Sequence, residues 1–281
     1  MTPTGRKPVH HAKTVCYDAS VLPANRIDRM LWAGTSALLL AALPGACVPN
    51  GPPAKADGGA QATTEPPRKP TKPTPPKPTA SAPPSPALTG PFEDKFDRTT
   101  LGPDWYPLTS NWEMKDGKLC GKSIRNRGVW LNRTLPVNAR IEFDAASSSP
   151  DGDLKAEYWG DGRSGATQAS YTNATSYLTI FGGWKNTFHV LARIDEHAPD
   201  RLQVALSPDS VDEREKPVVA GRTYGFKVER SDGKTVSWWV DGVLIHRLED
   251  KQPLTGPTHD HFGFNDWEVP VCFDNLKITP L

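Results

Sequence analysis

The sequence predicts an all-β, antiparallel sandwich for everything beyond residue 90, on three observations. Short runs alternate polar and apolar side chains, Asp-Gly pairs separate them, and no stretch holds a 3.6-residue period for more than two turns. The alternating runs are 140–145 (RIEFDA), 188–195 (FHVLARID), 224–230 (YGFKVER) and 236–241 (VSWWVD). The Asp-Gly pairs at 116–117, 232–233 and 241–242 supply the positive φ that tight hairpins need. Short strands joined by hairpins bury one face of each sheet against the other.

Upstream the composition changes twice. Residues 31–46 (LWAGTSALLLAALPGA) are almost uninterrupted in apolar and small side chains and follow Arg26 and Arg29, a signal-peptide pattern. Cys47 follows Leu43, Pro44, Gly45 and Ala46 directly, which resembles the lipobox of bacterial lipoproteins, although Leu43 stands one position further from the cysteine than that motif places it. The resemblance implies lipidation at Cys47 and a membrane-anchored, extracytoplasmic protein; plain secretion and an uncleaved anchor are the alternatives, and both also export the domain. The start is expected near Val21 or Leu22, so Cys16 falls outside the mature chain.

Residues 48–90 hold 13 of the 29 prolines and no aromatic side chain. Such a segment has little apolar surface to bury and favours extended polyproline conformations, so a disordered tether is expected, spanning on the order of 100 Å. The domain proper, 91–281, carries 23 basic and 28 acidic side chains. That acidic balance excludes nucleic acid as a partner, because displacing counterions from phosphate needs a basic face.

Within the domain, FEDKFDRTTLGPDW, NWEMKDGKL, VWLNRTLPVNARIEFDA and HFGFNDWEVPVCFDNLKITPL resemble the concanavalin A-like lectin and glucanase superfamily, nearest to bacterial 3-keto-disaccharide hydrolase-type, laminin G-like domains. The resemblance implies a two-sheet jelly roll, with saccharide binding or glycoside hydrolysis on a polar sheet face; a protein-interaction or envelope-structural module using the same face is the further alternative. It also implies that the terminal strands meet, so Cys120 and Cys272 are expected to pair in an oxidising compartment, with two buried free thiols as the alternative.

Strand parity then nominates the site. Asp153, Lys155, Glu157 and Trp159 share one face of their strand, and His189, Arg193 and Asp195 share one face of theirs. Glu157 with His189 is the candidate acid/base pair; Asp153, Lys155, Trp159, Trp184, Arg193, Asn265, Asp266 and Trp267 are the candidate ligand contacts, with Trp239 a further stacking platform. Sugars suit this choice, since their CH faces stack on indoles and their hydroxyls bond to carboxylates, amides and guanidinium groups. Glu142 and Asp144 lack the third acid of the glucanase pattern and read as solvated sheet residues. The loop His259 to Trp267 is expected to contact sugar, to hold a metal or to be an ordinary structured loop, with Asp260, Asn265 and Asp266 suited to Ca²⁺ and the two histidines to a transition metal. The glycine-rich 160–165 segment, with Tyr171, Thr172 and Asn173, is expected at the edge of a groove. Asn132 and Asn173 match the glycosylation acceptor pattern, which a bacterial context leaves silent.

Overall fold

The structure is a computed structural model and describes residues 85–281. The expected leader, Cys47 and the tether as far as residue 84 lie outside the described residues. Residues 85–90, assigned above to the tether, run along the domain: Ala87 bridges Thr134, the Leu88 amide donates to Thr134 O, and the Leu88 side chain packs on the core.

Among the described residues two antiparallel sheets form a sandwich of the jelly-roll class. The larger contains β1 (Phe92–Asp94), β3 (Trp112–Lys115), β4 (Lys118–Gly121), β6 (Ala139–Ser147), β11 (Thr223–Arg230), β12 (Thr235–Val240), β13 (Val243–Glu249) and β15 (Val271–Pro280). Its order is β13-β12-β11-β6-β15-β4-β3, with β1 also on β15. The smaller contains β2 (Trp105–Pro107), β5 (Val129–Leu131), β7 (Leu154–Gly160), β8 (Tyr177–Gly182), β9 (Phe188–Arg193), β10 (Leu202–Ala205) and β14 (His261–Asn265), in the order β10-β9-β8-β7-β14-β5-β2. Asp116-Gly117 joins β3 to β4 and Asp241-Gly242 joins β12 to β13, all four residues at positive φ as the turn chemistry requires.

Alternation in β6 and β11 sends every second side chain into the space between the sheets. Phe143 sits at the middle, stacked on Phe226 at 4.9 Å within its own sheet and edge-on to Phe264 of the opposite sheet at 5.1 Å. Phe273 completes the cluster, stacked on Phe264 at 4.2 Å. Trp238 points inward and is fully buried, whereas its neighbour Trp239 lies half-buried on the outer face of the larger sheet, with the Lys227 ammonium 3.9 Å from its ring.

The two ends of the domain are tied by β15. Its first half pairs with β4, placing Cys272 opposite Cys120 with Cα atoms 4.0 Å apart in a disulfide, and its second half pairs with β1. Asp94 pins β1 to its surroundings by accepting from the Phe96 amide, the Trp105 indole and both terminal nitrogens of Arg98. Closing a loop with a sequence separation of 152 restricts the unfolded chain. Replacing both cysteines by alanine is therefore expected to lower stability by about 2–5 kcal/mol in chemical denaturation, with reduction of the wild type giving the same change.

Candidate ligand pocket

The central strands of the smaller sheet, β8, β7 and β14, are buried on both sides. Strand β7 has no exposed residue, because residues 161–176 fold back over its outer face. Trp130 begins this cover by lying against Gly160 and Gly263, where a Cβ would come within 2.5 Å and 2.8 Å of the indole, and it donates to Ser164 O. Tyr171 then reaches down to the sheet, packing with Ala174, Leu178, Ile180, Val190 and Ala192 in a second apolar cluster. The glycine-rich segment is thus a cover over the sheet and not the edge of an open groove.

Beneath the cover lies a file of charges. Glu157 is 1% exposed and accepts from Tyr171 Oη, from Ser176 Oγ at 2.6 Å and from Asn265 Nδ2 at 2.6 Å. Burial outweighs these donors and pushes its carboxyl up to about 7. One step along the same face, Lys155 is 3% exposed, with Nζ 2.6 Å from Asn126 Oδ1 and 2.8 Å from Glu196 Oε2. Burial opposes the Lys155 charge, yet Glu196 and Asp153 hold it above the ordinary lysine value, and Lys155 in turn holds Glu196 low against its own burial.

The cover stops short of the end of the sheet and leaves a cavity of about 340 Å³. Asp153, Lys155, Ile180 and Glu196 line it together with Trp184 and Trp267, and Asp151, Lys185, His197 and Glu268 add charged or titratable groups to its lining. Trp184 belongs to an unusual turn. Trp184, Lys185 and Asn186 follow one another at φ of 51°, 56° and 60°, in the left-handed region that costs side-chain-bearing residues roughly 1–2 kcal/mol each. The turn is held by Asn186, whose Nδ2 donates to Pro150 O and Val218 O and whose Oδ1 accepts from the Val218 amide. Strain fixed by such a clamp orients the Trp184 indole and the Lys185 side chain together at the pocket.

Of the residues nominated by sequence, Asp153, Lys155, Trp184 and Trp267 meet in this pocket, and Asp266 lies behind Asp153. Several others are elsewhere. His189 points between the sheets and is fully buried, stacked on Phe181 with ring centroids 3.8 Å apart. Its Nδ1 accepts from the Gly182 amide and its Nε2 faces Lys216 O, while burial pushes its pKa down to about 3. Glu157 and His189 therefore occupy opposite faces of one sheet and form no acid/base pair. Arg193 follows the parity of His189 and binds Asp250 Oδ2 and Gln252 O. Trp159 is also in the core: pairing slips between His261 and Phe262, φ at Trp159 is 52°, and the bulge turns its indole inward, under the Arg230 guanidinium at 3.9 Å.

The expected His259–Trp267 loop is largely strand β14, in the interior of the smaller sheet. Asp260 precedes that strand and Asp266 follows it, on the order of 20 Å apart at 3.3 Å per residue, so Asp260, Asn265 and Asp266 do not converge. Asn265 is consumed by Glu157 and the Asp266 amide. Among the described residues no group of three or more His, Cys, Asp or Glu side chains is placed to hold a metal ion. Glu196 and Asn126, which fix Lys155, carry no sequence signal: both sit in polar turns, outside any alternating run.

No protein-family model and no curated protein sequence matches the chain. Among solved structures it is similar to the carbohydrate-binding module CBM66 from Bacillus subtilis, at 16% identity over 62% of this chain and 94% of that one, with a TM-score of 0.45. A β-1,3-1,4-glucanase (lichenase) from a mouse hindgut metagenome matches at 12% identity over 68% of this chain and all of that one, TM-score 0.47. The Emp47p carbohydrate recognition domain matches at 10% over 68% and 94%, TM-score 0.45.

Two consequences are measurable. Lys155→Met strands the buried Glu196 carboxylate and is expected to cost about 3–5 kcal/mol in denaturant unfolding, much of it recovered when Glu196→Leu is added. Glu157 keeps its proton in the folded chain up to about pH 7 but releases it near 4.5 when unfolded. Its stabilising contribution is present below about pH 4.5 and is lost as pH rises to 7. Unfolding free energies of Glu157→Gln and wild type should therefore diverge in favour of the variant across that window.

Proposed function

We propose that the domain is a saccharide-binding module and that the pocket between Trp184 and Trp267 is its binding site. The observation that carries this reading is the pairing of two half-buried indoles with ionised or hydrogen-bonding groups, Asp153, Lys155 and Glu196, around one cavity. Sugar rings offer an apolar CH face and a rim of hydroxyls, and this lining answers both. The cavity, about 340 Å³, suits one or two rings at a chain end better than a long glycan lying across the sheet, since the cover occupies the rest of that face.

Export of the domain, with a lipid anchor at Cys47, belongs to the same reading. The Cys120–Cys272 disulfide supports it, because such bonds persist in oxidising compartments. Hydrolysis of the 3-keto-disaccharide type, the other implication of the sequence resemblance, has lost the Glu157–His189 pair as its machinery.

The test is a glycan panel presented to the full chain, with retained and released sugars analysed by mass. Retention of glycans at unchanged mass is expected; shortened products would indicate a hydrolase, and no retention would move the function to a protein partner. Trp184→Ala and Trp267→Ala should each weaken retention about tenfold or more, while Trp239→Ala, on the other sheet, should leave it unchanged.

A further inference from the structure

Three carboxylates surround a single buried cation at the floor of the pocket. Lys155 directs its ammonium to Asn126 and Glu196, so Asp153 and Asp266 remain. Asp153 lines the cavity and accepts one hydrogen bond, from the Trp267 amide at 3.2 Å. Asp266 is fully buried, and among the described residues its carboxylate makes no hydrogen bond of full geometry, only weak approaches from the Trp267 and Ile124 amides. Its charged neighbours are Asp153 and Lys155, both pocket residues. A buried carboxylate held only by weak amide contacts is costly, and it persists where a ligand or a proton completes it.

We propose that Asp153, backed by Asp266, receives an ammonium group of the ligand, so that the saccharide taken by this pocket is an amino sugar with a free amine. This deepens the saccharide reading and rests on it. The chemistry of the lining selects an organic cation over a metal. A hard divalent ion requires six or more oxygens, and among the described residues no third His, Cys, Asp or Glu joins this pair to hold one. An ammonium needs only a few acceptors and gains from aromatic walls, which Trp184 and Trp267 provide. Both indoles already attract cations on the protein itself: Arg201 lies 4.2 Å from the Trp184 ring and Arg125 lies 5.9 Å from that of Trp267. Asp151 and Glu268 add negative charge to the pocket lining, against which stands the exposed Lys185. Burial holds Asp153 and Asp266 above the usual carboxylate range, with repulsion from Glu196 adding to it at Asp153 and repulsion from Asp153 adding to it at Asp266, a cost that an arriving cation relieves.

The experiment compares binding of a glucosamine trimer and its N-acetylated counterpart to the full chain by calorimetry, with Ca²⁺ alone and tetramethylammonium as further probes. The amine trimer is expected to bind about tenfold or more tightly than the acetylated one. Asp266→Asn, neutral and of the same size and outside the cavity lining, should erase that preference while leaving the acetylated trimer's affinity unchanged, and Asp153→Asn should bring the two trimers to equal affinity. Equal binding of the two trimers would overturn the ammonium site and leave saccharide binding standing. Binding of tetramethylammonium in an Asp266-dependent manner without either trimer would keep the cation site and overturn the saccharide reading. Binding of Ca²⁺ alone, abolished by Asp266→Asn, would replace the proposal with a metal site, and no binding of any probe would overturn both readings.

Discussion

The buried contact between Lys155 and Glu196 is the constraint around which this face of the sandwich is arranged. An ammonium removed from water in the middle of a sheet is stable only if its partners are fixed, and here they come from two distant segments, the turn holding Asn126 and the turn that follows β9. Glu196 also accepts from the Tyr171 amide, so the pair that neutralises Lys155 also anchors the cover. Tyr171 in turn satisfies Glu157. Charge, cover and pocket are thus one connected hydrogen-bond network: the cover excludes water from the charges, and the charges hold the cover down.

Fold class and turns were legible because they are local. Alternation and Asp-Gly pairs report the two-residue period and the hairpin chemistry directly, and Trp238 and Trp239 do divide between the two faces. Parity was legible as well: Lys155 and Glu157 share a face, as do His189 and Arg193. What parity does not contain is which face is inside. The polar set of β9 enters the core, where His189 is buried neutral against Phe181, and the apolar set, Val190 and Ala192, faces outward onto Tyr171. An apolar outer face ordinarily signals the core, and only the existence of the cover, a non-local fact, reverses that inference. Trp159 failed for a different reason, since one bulge shifts a side chain to the other face without altering the run that contains it.

The site itself was half legible. Trp184, Trp267, Asp153 and Lys155 stand out by residue type, but their convergence depends on the strand ends of β7, β8 and β14 lying side by side. Glu196 was missed because a lone acid in a turn is indistinguishable from a solvated one until its partner is placed. The left-handed turn at 184–186 was equally silent: no glycine occupies those positions, and the clamp that sustains them, Asn186 with Val218 and Pro150, joins segments far apart in the chain.

The arrangement at β15 has a mechanical meaning. A pull on the chain upstream of Ser85 reaches the domain first through the Ser85–His261 contact and the Ala87–Thr134 bridge, and then through the short β1, sheared along β15. These are small contacts, and peeling them would lengthen the molecule without touching the central phenylalanines. Beyond β1 the peel is resisted by Phe96 and Trp105, packed on Phe264, and past them lies a covalent stop at Cys120, bonded to the far end of the domain at Cys272. The fold therefore has a short sacrificial extension followed by a locked remainder that includes both pocket indoles. A ligand held between Trp184 and Trp267 stays held while the first segment gives way.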